Sequence, residues 1–258
     1  MHFFRSLTFL AALPLLGQQF EVASIKVSNP PPEKRGSSSM NTGGGGVRAT
    51  NYSVFQLILQ ALGAQSYQLS GGPSWVRDDR FDIVARNDGA EERVPPGDVS
   101  RQEAQIARHR ARLRNLLETR FQLVLREEVK ELPVYSLTVD KGGPKLKEAE
   151  PKGGTSINNG NGAGSIKGEG LTMARICTAL GSVLQRPVVD ETGLTGAYDL
   201  ELKYSTDEAM AGKEKAIEDI TGPTIFTAVR ESLGLRLTGK KGPVKTWVIE
   251  RVEKPSEN

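Results

Sequence analysis

The spacing of hydrophobic positions changes along the chain, and each change predicts an element. Apolar residues that alternate with polar ones in residues 20–27 and 80–86 predict strands, because successive side chains of a strand point to opposite faces. Val54, Leu57 and Ile58 recur at helical spacing after Ser53, which is a favourable N-cap residue. The chain is therefore predicted to begin with a strand, a short strand over residues 47–51, a helix and a further strand.

A long polar helix and two strands follow. The helix covers residues 100–119, and its sparse apolar stripe comprises Ile106, Leu113, Leu116 and Leu117. The strands cover residues 121–129 and 134–140, with an interruption around Pro133.

The same order of signals recurs later in the chain. Thr172 precedes a helical run, residues 198–204 alternate as a strand, and Thr224 opens a helix that Gly234 can end. Residues 235–238 and 244–252 predict a closing β-hairpin around residues 240–243. The glycine-rich residues 43–46 and 160–170 are interpreted as flexible connections.

Four pairs of short matches, in sequence order, predict an internal duplication. They are residues 53–54 with 172–173, 81–83 with 198–200, 121–123 with 235–237, and 133–134 with 243–244. The predicted fold is α+β, with two helix–strand–helix–β-hairpin halves over residues 20–150 and 151–258. Their sheets should be mixed or antiparallel, with helices on one face.

The N-terminal residues 1–19 have the features of a secretory signal peptide. A short basic segment precedes an apolar run over residues 7–16, which is about half of the roughly 20 residues that cross a bilayer. A buried helix or an uncleaved anchor is the alternative. We therefore expect a secreted or periplasmic protein.

Composition narrows the possible functions. The chain has 258 residues and a formal net charge of only +3, which does not favour nucleic-acid binding. Its one cysteine, Cys177, lies in an apolar helical run and is interpreted as a small buried hydrophobe, with a reactive or intermolecular thiol as the alternative.

The catalytic residue types are scarce. Beyond the predicted signal peptide the one histidine is His109, interpreted as a solvated residue of a polar helix. With one Cys and one such His, neither a Ser-His-Asp triad nor a zinc site is expected, and no metal or cofactor is predicted. The adjacent acids Asp78–Asp79 and Asp190–Glu191 are the remaining catalytic candidates.

Two turn-rich loops are the candidate binding residues. The first contains Gly71, Gly72, Pro73 and Trp75, and the second contains Asp190, Thr192 and Gly193. Trp75 is expected either to cover the core of the first half or to form an exposed anchor for a partner. In the second loop, Asp190 or Thr192 can accept hydrogen bonds from nearby backbone N–H groups.

Several of these segments together resemble a known family. Residues 20–26, 71–75, 120–123, 132–135, 186–199, 233–235 and 252–255 are similar to motifs of a soil-associated domain of unknown function exported by soil bacteria. The helix, Leu233-Gly234-Leu235 and closing strands more loosely resemble the short N-terminal domain of secretins and TonB-dependent receptors. The first family has no established activity, so this likeness indicates no function. The second likeness implies a partner-binding domain of the periplasm.

These features favour a non-enzymatic binding or scaffold module of the cell envelope. Its partner would be an envelope or extracellular protein or polymer, and its oligomeric state is left open. One alternative is a hydrolase of such polymers that uses paired carboxylates. A second, which the family resemblance implies, is a sensor-like domain detached from a membrane peptidase receptor.

Overall fold

The computed structural model describes residues 20, 22–31, 37–42, 46–86, 94–95, 98–152, 154–160, 163–205 and 223–255; the predicted signal peptide, residues 1–19, lies outside them. The described residues form five α-helices, one 3₁₀ turn at Ser66–Gln68 and twelve strands in three sheets. This confirms an α+β fold with mixed and antiparallel sheets. The helices are α1 (Val54–Leu62), α2 (Trp75–Asp78), α3 (Val99–Arg120), α4 (Met173–Leu184) and α5 (Ile225–Leu233).

The strands form two outer sheets and one central sheet. The strands are β1 (Val22–Val27), β2 (Ser39–Asn41), β3 (Val47–Ser53), β4 (Leu69–Gly71), β5 (Arg80–Arg86), β6 (Val124–Val139), β7 (Lys147–Glu148), β8 (Gly154–Gly160), β9 (Ala163–Thr172), β10 (Val188–Asp190), β11 (Ala197–Ser205) and β12 (Leu235–Arg251). The first outer sheet has the order β1-β5-β3-β2, the second β7-β11-β9-β8, and the central sheet β10-β6-β12-β4.

The two outer sheets share one connectivity. Both are antiparallel. The third strand in the first order, β3, leads into α1, and the third strand in the second order, β9, leads into α4. Each sheet also has a residue with positive φ near the end of that strand, Asn51 in β3 and Gly170 in β9. The Asn51 N–H donates to Asp82, and the Gly170 N–H donates to Asp199. The internal duplication predicted from the sequence stays a prediction, and this shared connectivity is consistent with it.

The central sheet is built on two long antiparallel strands. β6 and β12 pair from Val124 with Arg251 to Val139 with Leu235. The predicted break near Pro133 and the closing hairpin at residues 240–243 were therefore wrong. Pro133 and Pro243 both lie where this ribbon has only two strands, and such open edges tolerate proline.

Each long strand contributes to both hydrophobic cores. Ile249 of β12 is buried in the first core with Leu57, Phe81 and Leu117. Leu235, at the other end of β12, is buried in the second core with Leu137 of β6. Leu125 of β6 packs, partly buried, against the first core. Since both cores contact both long strands, the two halves share the central sheet.

Other expectations change in detail. The glycine-rich residues 160–170, predicted as a flexible connection, belong largely to β8 and β9, which pair with each other. Ile106, placed in the buried stripe of α3, is 44% exposed. α3 and α5 are each followed by a residue with positive φ, Gln122 and Gly234. Pairing these two residues would shift the proposed match of residues 121–123 with 235–237 by two positions. β7 lies before the predicted boundary at residue 150, yet it pairs with β11.

Candidate functional site

The most promising site is an open cleft where the two halves meet. It has a volume of about 360 Å³, within the range of small-molecule sites. One wall comes from the segment after α1, and the other from α4 and β10. The lining residues are Gly63, Gln65, Tyr67, Gln68, Ala174, Cys177, Thr178, Gly181, Pro187, Val188 and Asp190.

The first wall is a short connection held by backbone and amide hydrogen bonds. α1 ends at Gly63, whose φ of 62° is a conformation that glycine adopts without strain. The 3₁₀ turn follows, and the Gln68 side chain accepts a hydrogen bond from the Gln65 N–H at 3.0 Å. Gln68 also donates to the Lys245 carbonyl at 2.9 Å, which fixes the turn on β12.

Side-chain hydrogen bonds join the two walls. Gln65 donates through Nε2 to Ser182 Oγ at 2.9 Å. Ser66 donates through Oγ to Gln185 Oε1, also at 2.9 Å. The segment that follows α1 is thus hydrogen-bonded directly to the C-terminal end of α4, and the cleft opens beside this junction.

Small side chains on α4 leave the space that the cleft occupies. Ala174, Cys177, Thr178 and Gly181 follow one another at helical spacing and so share a face. A Cβ added to Gly181 would lie 3.2 Å from the Arg186 carbonyl oxygen. Larger residues on this face would therefore fill the cleft.

Asp190 forms the polar end of β10 and lines the cleft. Its Oδ1 accepts hydrogen bonds from the Thr192 N–H at 3.0 Å and from the Thr192 hydroxyl at 2.7 Å. The Leu194 N–H in turn donates to Thr192 Oγ1 at 3.2 Å. The predicted side-chain-to-backbone turn is confirmed, and Gly193 supplies its positive φ of 71°.

The electrostatics of the cleft disfavour anions. Burial, and to a smaller extent the nearby Asp190 carboxylate, together raise the pKa of the Cys177 thiol to about 12. Cys177 is thus a protonated, buried side chain, as its apolar sequence context predicted. Burial also raises the pKa of the Tyr67 hydroxyl, which therefore stays protonated at neutral pH.

Glu191 takes a different direction from Asp190. Its carboxylate accepts a hydrogen bond from the Ser136 hydroxyl and pairs with Lys240, both on the central ribbon. The contact with Lys240, followed by that with Ser136, lowers the pKa of Glu191. Both carboxylate oxygens are therefore engaged, and the adjacent acids do not converge on one reacting position.

The first predicted loop lies apart from the cleft. Gly71 and Gly72 have φ of 80° and 75°, and a Cβ on Gly71 would lie 2.9 Å from the Ile249 carbonyl oxygen. Trp75 is half-buried, and its ring forms a T-shaped pair with that of Phe81 at a centroid distance of 6.5 Å. Pro73 is exposed before α2. Since β4 and β10 occupy opposite edges of the central sheet, the structure does not bring the two loops together.

Three further candidate residues lie outside the lining of the cleft. His109, expected to be solvated, is half-buried and contacts the Phe20 ring edge-on at 6.4 Å. Asp79 forms an ion pair with Lys254 at 2.6 Å, and Asp78 is exposed on α2.

Sequence reasoning missed most of the cleft. Gln65, Tyr67, Gln68 and Thr178 were not candidates because no local motif marks them. The small-residue spacing on α4 was the available signal, but it indicates space only when the partner segment is known to lie opposite. That segment is more than 100 residues away, as the hydrogen bond between Gln65 and Ser182 shows.

Within the described ranges, no group of three His, Cys, Asp or Glu side chains is arranged to hold a metal ion. The helices of this part of the chain also lack the combination of length and apolar character that crossing a membrane requires.

Comparison with known families identifies the chain at the level of the domain. Residues 55–252 match the family described as a protein of unknown function, DUF3738. The chain belongs to this family. The match includes both walls of the cleft and the central ribbon. No curated protein and no solved structure matches the chain.

Proposed function

We propose that this protein is a non-enzymatic binding module of the cell envelope and that the cleft between its halves holds the ligand. The observation that carries the proposal is the cleft itself: a space of about 360 Å³ with mixed polar and apolar walls, at a junction fixed by two side-chain hydrogen bonds. A ligand there would contact both halves at once. Such a site needs no moving part to be formed.

The acids support binding more than hydrolysis. Asp190 is the one acidic residue that lines the cleft, while Glu191 contacts Ser136 and Lys240. A carboxylate pair that performs acid–base chemistry must flank one scissile bond. The hydrolase alternative would need such a pair, and its test is the release of fragments from envelope polymers. Turnover that disappears in both Asp190→Asn and Glu191→Gln would favour hydrolysis.

Photo-crosslinking tests the location of the binding site. Thr178 is exposed on the α4 wall and donates its hydroxyl to the Ala174 carbonyl at 2.9 Å. Thr119 is also an exposed helical threonine, and its hydroxyl donates to the Asn115 carbonyl at 2.8 Å, but it lies on α3 outside the cleft lining. Benzoylphenylalanine would replace each of them in separate variants, which would be irradiated in envelope fractions of the host.

We expect a discrete adduct from position 178 that excess unlabelled protein suppresses, and none from position 119. Unfolding curves of the two variants should first show that both are folded. Identical adducts from both positions, or no adduct from position 178, would contradict a binding site in the cleft.

Export is part of the proposal and has its own test. The basic and apolar pattern of residues 1–19 supports a cleaved signal peptide. Protein isolated from the host should begin near residues 18–20 by N-terminal sequencing. Mature protein that still carries Met1 would contradict this part of the proposal.

A further inference from the structure

The charge and shape of the cleft restrict the chemistry of its ligand. Asp190 is the one formally charged side chain among the lining residues. Its Oδ1 accepts two hydrogen bonds from Thr192, which restrict the rotation of the carboxylate beside the cleft. A preorganised carboxylate loses little side-chain freedom when it binds a cation.

The neighbouring groups are suited to the same cation. Tyr67 contributes a hydroxyl that is not ionised, and its oxygen can accept a hydrogen bond from an ammonium group. The amides of Gln65 and Gln68 are already engaged with Ser182 and Lys245. They therefore shape the wall and leave the charge of Asp190 uncompensated.

The remaining wall of the cleft is apolar. Ala174, Gly181, Pro187 and Val188 present small hydrophobic surfaces, and the protonated Cys177 adds a further one. Methylene groups that pack against such surfaces are removed from water, which favours binding. An unbranched hydrocarbon stem would pack against the small side chains of this wall.

A nearby cation does not reverse the sign of the site. Arg110 of α3 lies against Gly63, where an added Cβ would overlap its guanidinium group. This position is the C-terminal end of α1, whose helix dipole is negative and offsets a positive charge. Arg110 is not among the lining residues, whereas Asp190 is.

We propose that the cleft binds an ammonium group carried on a short unbranched hydrocarbon stem, with Asp190 as its counter-ion. This rests on the proposed binding function and specifies its ligand class. A free alkylamine and a lysine side chain share this chemistry. In either case the ammonium group contacts Asp190 and Tyr67, and the stem lies along the small-residue face of α4.

Matched ligand pairs test the charge requirement. n-Butylammonium is compared with n-butanol, and N-acetyl-lysine amide with N-acetyl-norleucine amide, in which a methyl group replaces the methylene-ammonium end. Binding is followed by amide chemical shifts of Thr178, Gly181 and Asp190 in an isotope-labelled protein at pH 7. We expect saturable shifts with both cations, and an affinity about fivefold above that of the neutral partners, as for partly exposed ion pairs.

Two variants isolate the role of the carboxylate. Asp190→Asn keeps an Oδ1 acceptor for Thr192 but removes the charge, and it should abolish the preference for the cations. Asp78→Asn removes the same charge from an exposed position outside the lining and should leave the preference unchanged. Preserved Thr192 and Leu194 amide shifts in Asp190→Asn would show that the turn is intact.

The outcomes separate this inference from the proposed function. Equal affinities for charged and neutral probes, an unaltered preference in Asp190→Asn, or no binding of either cation would overturn the ammonium ligand. A position-178 adduct would still support the cleft as a binding site. Tighter binding of the lysine derivative than of butylammonium would support a protein ligand, and the reverse order would support a free amine.

Discussion

Asn51 and Gly170 occupy equivalent corners of the two outer sheets, with φ of 58° and 57°, yet their surroundings differ. Asn51 is 3% exposed, and its side-chain amide donates to the Ser37 carbonyl at 2.7 Å. At Gly170 an added Cβ would overlap the Glu150 carbonyl oxygen. The fold requires the left-handed corner in both halves, while the neighbouring segment decides whether a side chain is useful or excluded.

The hydrogen-bond acceptor at each corner is the side chain of an aspartate. Asp82 accepts from the Asn51 N–H at 2.8 Å, and Asp199 accepts from the Gly170 N–H at 3.1 Å. The aromatic–Asp–aliphatic match seen in the sequence therefore has a structural role. The aromatic and aliphatic residues are buried on one face of the strand, and the intervening Asp holds the corner of the adjacent strand.

The largest expected difference is at the corners themselves. Gly170→Ala should lower the free energy of unfolding by about 3 kcal/mol or more, because the backbone is left-handed and the Glu150 carbonyl must move. Asn51→Ala should cost about 2 kcal/mol, from the lost bond to Ser37 and the strained φ. Urea unfolding monitored by circular dichroism measures both.

Gly142→Ala is the control for these substitutions, since a Cβ at Gly142 would have no neighbour within 4 Å. It should change the unfolding free energy by less than about 0.5 kcal/mol. Equal losses at positions 51 and 170 would mean that the neighbouring segments do not distinguish the two corners.

A second contrast concerns the loops that enter β5 and β11. Trp75 is half-buried against the first core, and Leu194 is half-buried against the second. Trp75→Ala should cost about 2 kcal/mol and Leu194→Ala about 1.5 kcal/mol, less than for fully buried side chains. Thermal and urea unfolding test this, and an unchanged stability in Trp75→Ala would instead indicate an exposed anchor for a partner.

The corner acceptors should show a smaller effect. Asp82→Ala should cost about 1.5 kcal/mol and Asp199→Ala about 1 kcal/mol, because each leaves a backbone N–H without its acceptor and the bond at Asn51, 2.8 Å, is shorter than that at Gly170, 3.1 Å. Asp82→Asn and Asp199→Asn retain an acceptor oxygen and should recover most of the loss. Failure of both Asn variants to recover stability would show that the charge, and not the hydrogen bond, matters.

The smallest effect is a pH dependence at the edge of the central sheet. The native contacts of Glu191 with Lys240 and Ser136 lower its pKa, so its contribution is present above the unfolded pKa of about 4.3 and is lost as the pH falls through the folded value. Glu191→Gln should therefore lower Tm slightly at pH 7. The difference in Tm between this variant and the wild type should be smaller at pH 3. A difference that grows on acidification would contradict this assignment.

Local sequence determined the elements whose residues carry their own signals. The Ser53 cap, with its reciprocal Gln56 contacts, and the apolar period after it specify α1, and β5 begins and ends where its alternation does. Thr224 and Gly234 likewise bound α5 as predicted. Caps, glycines and hydrophobic period act over a few residues, so one segment suffices to reveal them.

Only the tertiary structure decided the long ribbon and the cleft. The residues around Pro133 and in 240–243 look like turns locally, but pairing between β6 and β12 over about 110 residues of separation keeps them extended. The cleft depends on the same distant contacts, because Gln65 and Tyr67 face α4 only after both halves have packed on the shared sheet. Its shape and charge arise from surfaces that no local pattern places opposite each other.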